Sequence, residues 1–76
     1  VSRYFFDFHD GVTLIDETGV DLENLDAARA EAIKSLSAIA ADTASAKHLN
    51  ELVMVVRDEG GKTVLTASMT FKMEDA

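Results

Sequence analysis

The chain contains no cysteine, no proline and no tryptophan, and basic residues are scarce, seven against fourteen acids. Without cysteine, disulfides and every thiolate zinc site are excluded. No run of about 18 apolar residues is present to span a bilayer as a helix. The opening Val1-Ser2-Arg3-Tyr4 lacks the basic-then-apolar build of a secretory signal. The expectation is a cytoplasmic protein without a membrane role. At 76 residues the sequence reads as one domain, 1–76, because a core for a chain this short uses most of it, burying only about 60% of the unfolded surface. Oligomerisation is the staple left to so small a core.

The net charge of −7 is uneven. Asp7, Asp10, Asp16, Glu17, Asp21, Glu23 and Asp26 face Arg3 alone within residues 1–26, while the rest of the chain is close to neutral. Arg29, Lys34, Lys47, Arg57, Lys62 and Lys72 are scattered singly. They form no stripe that could displace counterions from phosphates, which argues against nucleic-acid binding. An acidic first third is suited either to solvation or to a basic protein partner.

Local signals alternate between strand and turn, with one helix between them. Arg3 to His9 is aromatic and β-prone, Asp10-Gly11 follows, and Val12 to Ile15 completes a hairpin. Asp-Gly fits a two-residue type I′ turn, which places Phe8 opposite Thr13. That register groups Tyr4, Phe6 and Phe8 with Thr13 and Ile15, and Phe5, Asp7 and His9 with Val12, Leu14 and Asp16. Asp16-Glu17-Thr18-Gly19 ends the hairpin, and Val20 to Glu23 leads to Asn24, an N-cap for a helix starting at Leu25. Asp26 complements the dipole of the first turn. Leu25, Ala28, Ala32, Leu36, Ile39, Ala40 and Thr43 form one helical stripe, with Ile33 at its border. The back of the helix is unusually small and apolar, and its Ala30 and Ala38 are candidates for close contact in an oligomer. The helix is carried to Ala46, its end lying somewhere between Ala41 and His48. Leu52 to Val56 is apolar on both faces, Asp58-Glu59-Gly60-Gly61 turns the chain, and Thr63 to Met73 alternates regularly.

The expected fold is therefore α+β, ββαββ, with a four-stranded antiparallel sheet in the order 2-1-3-4 and the helix packed on one face. Phe5, Leu14, Val53 and Val55 then fall on the face away from the helix, where an antiparallel sheet is normally polar. A second copy of the chain or a protein partner is the expected cover.

One cluster could carry chemistry. Asp7, His9 and Asp16 share a face in the expected register, and two carboxylates with an imidazole could hold a divalent metal or exchange protons. The bland alternative is turn and strand residues facing water, because Asp16 to Asp21 lacks the alternating acids of an EF-hand loop. His48 beside Lys47 complements a helix end. Met54, Met69 and Met73 read as core or interface filler. No serine sits in a nucleophile elbow, and Gly60-Gly61 joins strands rather than opening a helix over a phosphate. No cofactor is implied. The expected function is a non-enzymatic, homodimeric interaction module that binds a protein partner through the open sheet face, with a small metal-binding protein or metal-dependent enzyme using Asp7, His9 and Asp16 as the alternative.

Taken together, Arg3-Tyr4-Phe5-Phe6-Asp7, Asp10-Gly11, Asp16-Glu17-Thr18-Gly19-Val20, Leu25-Asp26-Ala27-Ala28-Arg29-Ala30-Glu31-Ala32 and Val56-Arg57-Asp58-Glu59-Gly60-Gly61 resemble a family of short bacterial proteins, the domain of unknown function 6894 family. The likeness spans nearly the whole chain in motif order, with Asn24 at the cap and a less basic stretch around Ala44 to Asn50 as departures. It implies no activity, ligand or catalytic residue. A looser likeness, in architecture more than sequence, is to small antitoxins with a partial ribonuclease-H-like sheet, which would imply a toxin partner.

Overall fold

The computed structural model describes residues 1–43 and 51–70. In chain order the elements are β1 (Ser2–His9), β2 (Thr13–Leu14), β3 (Val20–Leu22), α1 (Leu25–Thr43), β4 (Glu51–Arg57) and β5 (Thr63–Thr70). The fold is α+β, one helix on an open antiparallel sheet. The proposed helical residues Ala44 to Ala46, together with His48 and the strand extension Phe71 to Met73, lie outside the described residues.

The sheet differs in detail from the four-stranded 2-1-3-4 expectation. Its path is β2-β1-β4-β5, and a fifth strand, β3, pairs with the first half of β1. Val20, Asp21 and Leu22 lie opposite Tyr4, Arg3 and Ser2, so the segment read as a lead-in to the helix is part of the sheet. Three residues are too few for alternation to be read from sequence. The outer side of β1 is thus lined by two short strands, β3 at its start and β2 at its end.

The first hairpin also departs by one residue. Phe8 lies opposite Leu14 and His9 opposite Thr13, which leaves Asp10, Gly11 and Val12 as a three-residue loop. The Asp10 N–H donates to the Val12 carbonyl at 3.2 Å, and the Val12 N–H donates to Asp10 Oδ1 at 3.3 Å. Gly11 takes the left-handed conformation, φ 95°, which the longer loop needs in one place rather than two. Because side chains alternate every residue, the shift moves Thr13 to the side of His9 and Leu14 to the side of Phe8. The expectation that Leu14 shares the open face with Phe5 is corrected accordingly.

The helix begins as its sequence dictates. Asn24 Oδ1 accepts from the Ala27 N–H at 2.9 Å, and its carbonyl accepts from the Ala28 N–H at 3.1 Å, so the cap satisfies a donor that the first turn leaves free. Ala28, Ala32, Leu36 and Ala40 are buried against the sheet and Ile39 is partly buried, whereas Leu25 and Ile33 stay exposed. The small seam lets the helix backbone lie close to the sheet, and the sheet supplies the bulk: Tyr4 and Phe8 from β1, and Leu52, Met54 and Val56 from β4. Leu52 and Val56 are wholly buried, each worth about 1.5–3 kcal/mol of transfer free energy. Leu65, Ala67 and Met69 of β5 pack on the same side, and Thr66, Ser68 and Thr70 are exposed on the other.

Candidate functional site

On the sheet face away from α1, the side chains come from alternate residues of the two central strands. Phe5 lies opposite Arg57 and Asp7 opposite Val55. An aspartate in an aromatic strand needs compensation, since an unpaired buried carboxylate is costly. Asp7 is only 5% exposed, and Arg57 compensates it. Arg57 Nε donates to Asp7 Oδ2 at 2.6 Å and Nη2 donates to Oδ1 at 3.0 Å, a forked pairing that suits the planar guanidinium. The same Nη2 donates to the Asp16 carbonyl at 3.1 Å, and the guanidinium carbon sits 5.1 Å from the centre of the Phe5 ring, within cation–π range. Arg57 therefore joins β4 to β1 and to the β2–β3 connection.

Asp16 serves the backbone. Its Oδ2 accepts from the Phe6 N–H at 3.0 Å, and its Oδ1 accepts from the N–H groups of Thr18 and Gly19, each at 3.0 Å. In return, the Asp16 N–H donates to Asp7 Oδ1 at 3.0 Å. Its carboxylate thus occupies the gap on the outer side of β1 between the end of β2 and the start of β3, where no strand residue faces Phe5, Phe6 and Asp7. Gly19 closes the turn with φ 76°. A Cβ at Gly19 would lie 2.7 Å from Arg3 Cγ and 3.0 Å from the Phe5 ring, so space as well as backbone geometry calls for glycine. Arg3 crosses this turn, donating from Nε to Asp21 Oδ1 at 3.0 Å and from Nη1 to the Thr18 carbonyl at 3.3 Å.

The electrostatics follow these bonds. The Arg57 hydrogen bond holds the Asp7 carboxyl below the usual carboxylate range, with burial pulling the other way. For Asp16 burial is the largest influence and pushes upward, but the N–H groups of Gly19, Phe6 and Thr18, together with the charge of Arg57, outweigh it and leave the carboxyl lowered. Arg57 itself is raised, first by its bond to Asp7. Carboxylates held ionised by donors on every side are poor proton acceptors near neutral pH, where a general base needs a pKa close to the working pH.

Of the three candidate metal ligands, Asp7 and Asp16 are adjacent but turned to Arg57 and to backbone donors. His9 Nδ1 is 2.9 Å from Thr13 Oγ1 instead. Among the described residues, no group of three or more His, Asp or Glu side chains is arranged to hold a metal ion. A shallow pocket of about 370 Å³ opens elsewhere, between the starts of β1 and α1 and the β4–β5 turn, lined by Tyr4, Leu25, Glu59 and Val64 among others. Its Glu59 is engaged, with Oε1 accepting from the Arg3 N–H at 2.8 Å. Asp58 likewise serves its own turn, its Oδ1 accepting from the N–H groups of Gly60 and Lys62.

The interface candidates divide. Phe5, Val53 and Val55 are half-buried on the open face, while Ala30 and Ala38 are exposed on α1. Val12, Leu14 and Ile15 project from the first hairpin at 67%, 62% and 57% exposure. Arg57 was missed as a key residue. The signal for it was the acid at Asp7, which required a cation on a neighbouring strand.

The conformation-dependent features run through Arg3, Asp7, Asp16, Gly19 and Arg57, all inside the segment, residues 3–70, that matches the family described as a domain of unknown function (DUF6894). The chain belongs to that family. The DUF6894 match runs from Arg3 in β1 to Thr70 at the end of β5, so every strand and the helix fall within it, but for Ser2. No curated protein and no solved structure matches the chain.

Proposed function

We propose that this DUF6894 domain is a non-enzymatic interaction module that works as a homodimer and offers its open sheet face to a protein partner. The observation that supports the reading is the one-sided covering of the sheet. Helix α1 packs over the face of Leu52, Met54 and Val56, while no element among the described residues crosses the face of Phe5, Val53 and Val55. The titratable groups of that face are tied to one another and to backbone, which favours a surface over a reaction centre. The acidic first third gives a basic partner a complementary rim.

Light scattering across a tenfold dilution tests the dimer. A mass near twice that of the 8.2 kDa chain at the upper concentration supports it, and a monomer throughout rejects it. For the face, Val53→Lys places a charge at its centre. A partner captured from the source cell by the wild type and lost by a folded Val53→Lys supports the proposed face, while undiminished capture by the variant rejects it.

A further inference from the structure

The two edges of the sheet are written differently. On the β1 side the edge consists of β2 and β3, of two and three residues, and carries Asp21 paired to Arg3. Short strands and charge are the usual protection of an edge against pairing with another chain. On the other side β5 runs eight residues, Thr63-Val64-Leu65-Thr66-Ala67-Ser68-Met69-Thr70. It has no charged side chain and no glycine, in a chain that is 28% charged. Its only register irregularity lies at the start, opposite Val56/Arg57. Among the described residues β5 pairs with β4 alone. A long, neutral, regular edge of this kind is a template for strand addition.

We infer that the outer edge of β5 pairs antiparallel with β5 of a second copy, joining two sheets into one continuous sheet with both helices on the same side. This rests on reading the domain as a homodimer and specifies how it forms. The neutrality of β5 suits a second copy as occupant, because the strand meets its own like without charge repulsion across the pairing. Of the seven acids of residues 1–26, Asp7, Asp10, Asp16, Glu17 and Asp21 lie in or beside β1, β2 and β3, on the far side of β4 from β5. Pairing through β5 keeps the two acidic ends apart, whereas pairing through the β1 side would press them together. A two-fold axis at Ala67 keeps like faces together. It sets Leu65 against Met69 of the other copy on the helix side, and Thr66 against Ser68 on the open side, both favourable cross-strand pairs. The open faces then merge into a surface twice as wide, leaving Phe5, Val53 and Val55 uncovered for a further partner.

The absence of cysteine makes the test clean. Single-cysteine variants Ala67→Cys, Val53→Cys and Val12→Cys, and an equimolar mixture of Thr66→Cys and Ser68→Cys, are oxidised mildly and analysed by mass spectrometry. The expected result is a disulfide dimer of Ala67→Cys, or the mixed 66–68 disulfide, formed at least tenfold faster than that of Val12→Cys at the hairpin tip. Amide exchange of the unmodified protein gives a second reading that needs no substitution. Alternate amides of Thr63 to Thr70 are expected to lose protection at least tenfold on dilution through the dimer–monomer transition. If the protein is dimeric by light scattering but cross-links fastest at Val53→Cys, with β5 amides indifferent to dilution, the edge pairing is overturned and the homodimer stands. If it is monomeric at every concentration, both are overturned.

Discussion

Replacing Asp7 with Asn removes one charge and almost no volume, and the structure states what that costs. Asp7 Oδ1 accepts from the Asp16 N–H and Arg57 Nη2, and Oδ2 accepts from Arg57 Nε at 2.6 Å. An amide can keep its oxygen toward the first two donors, but its NH₂ then faces the Nε–H, donor against donor. Breaking a fully buried pair costs about 3–5 kcal/mol, and a hydrogen bond to a charged group contributes about 1.5–3 kcal/mol. The Arg57 side chain is 26% exposed and can turn partly into water, so the lower range applies, about 2–3 kcal/mol. A domain of this size has about 4–11 kcal/mol of total stability, and the expected loss corresponds to about 10–20 °C in Tm. Urea and thermal unfolding followed by far-ultraviolet circular dichroism measure it. The acid limb gives a second reading. The folded pKa of Asp7 is lowered, so its contribution is complete above the unfolded value of about 3.9 and is lost as pH falls through the folded value. The wild type should therefore lose its advantage over Asp7→Asn below about pH 4. A difference under about 0.5 kcal/mol at pH 7, typical of an inconsequential surface change, or a difference that does not shrink as the pH falls below about 4, would refute the account of Asp7.

Three further outcomes are expected. Gly19→Ala, which meets both a left-handed backbone and the Arg3 side chain, should lower stability by about 1–3 kcal/mol; a neutral result would show that the turn relaxes freely. Leu52→Ala empties a wholly buried site between α1 and the sheet and should cost about 2–4 kcal/mol, read as a lower urea midpoint, and a cost under 1 kcal/mol would contradict that packing. Manganese, zinc or calcium at millimolar concentration should leave Tm unchanged, since the oxygens of Asp7 and Asp16 are already engaged; a rise in Tm would restore the metal-binding alternative.

Much of the fold was legible because the signals were local. The Asn24 cap, the helix start at Leu25 and the alternation of Leu65, Ala67 and Met69 each depend on residues a few positions apart. The first hairpin was misread by one residue because Asp10-Gly11 fits the two-residue turn equally well, and only the Asp10 side chain bonding to the Val12 N–H favours the longer loop. Strand β3 was missed because three residues carry no period. Its cue was long-range, Arg3 reaching Asp21. The Asp7–Arg57 pair spans fifty residues, and no spacing rule reaches that far. What sequence offered was half of the inference, a carboxylate within an aromatic strand, and the other half required knowing that β1 and β4 are neighbours. The helix showed low contrast between its faces because its buried seam is alanine as well as its back, the bulk of the core coming from the sheet.

The carboxylate of Asp16 replaces a stretch of missing strand along β1, holding the Phe6 N–H between the segments paired to β3 and β2. Strands ordinarily fray from their ends inward. On its outer side β1 is pinned at both ends by backbone and in the middle by a group that can be protonated, so acid unzips it from the centre. Protection of the Phe6 amide, taken relative to its intrinsic exchange rate at each pH, then becomes a proton gauge, falling before that of the amides of either flanking strand as the pH is lowered.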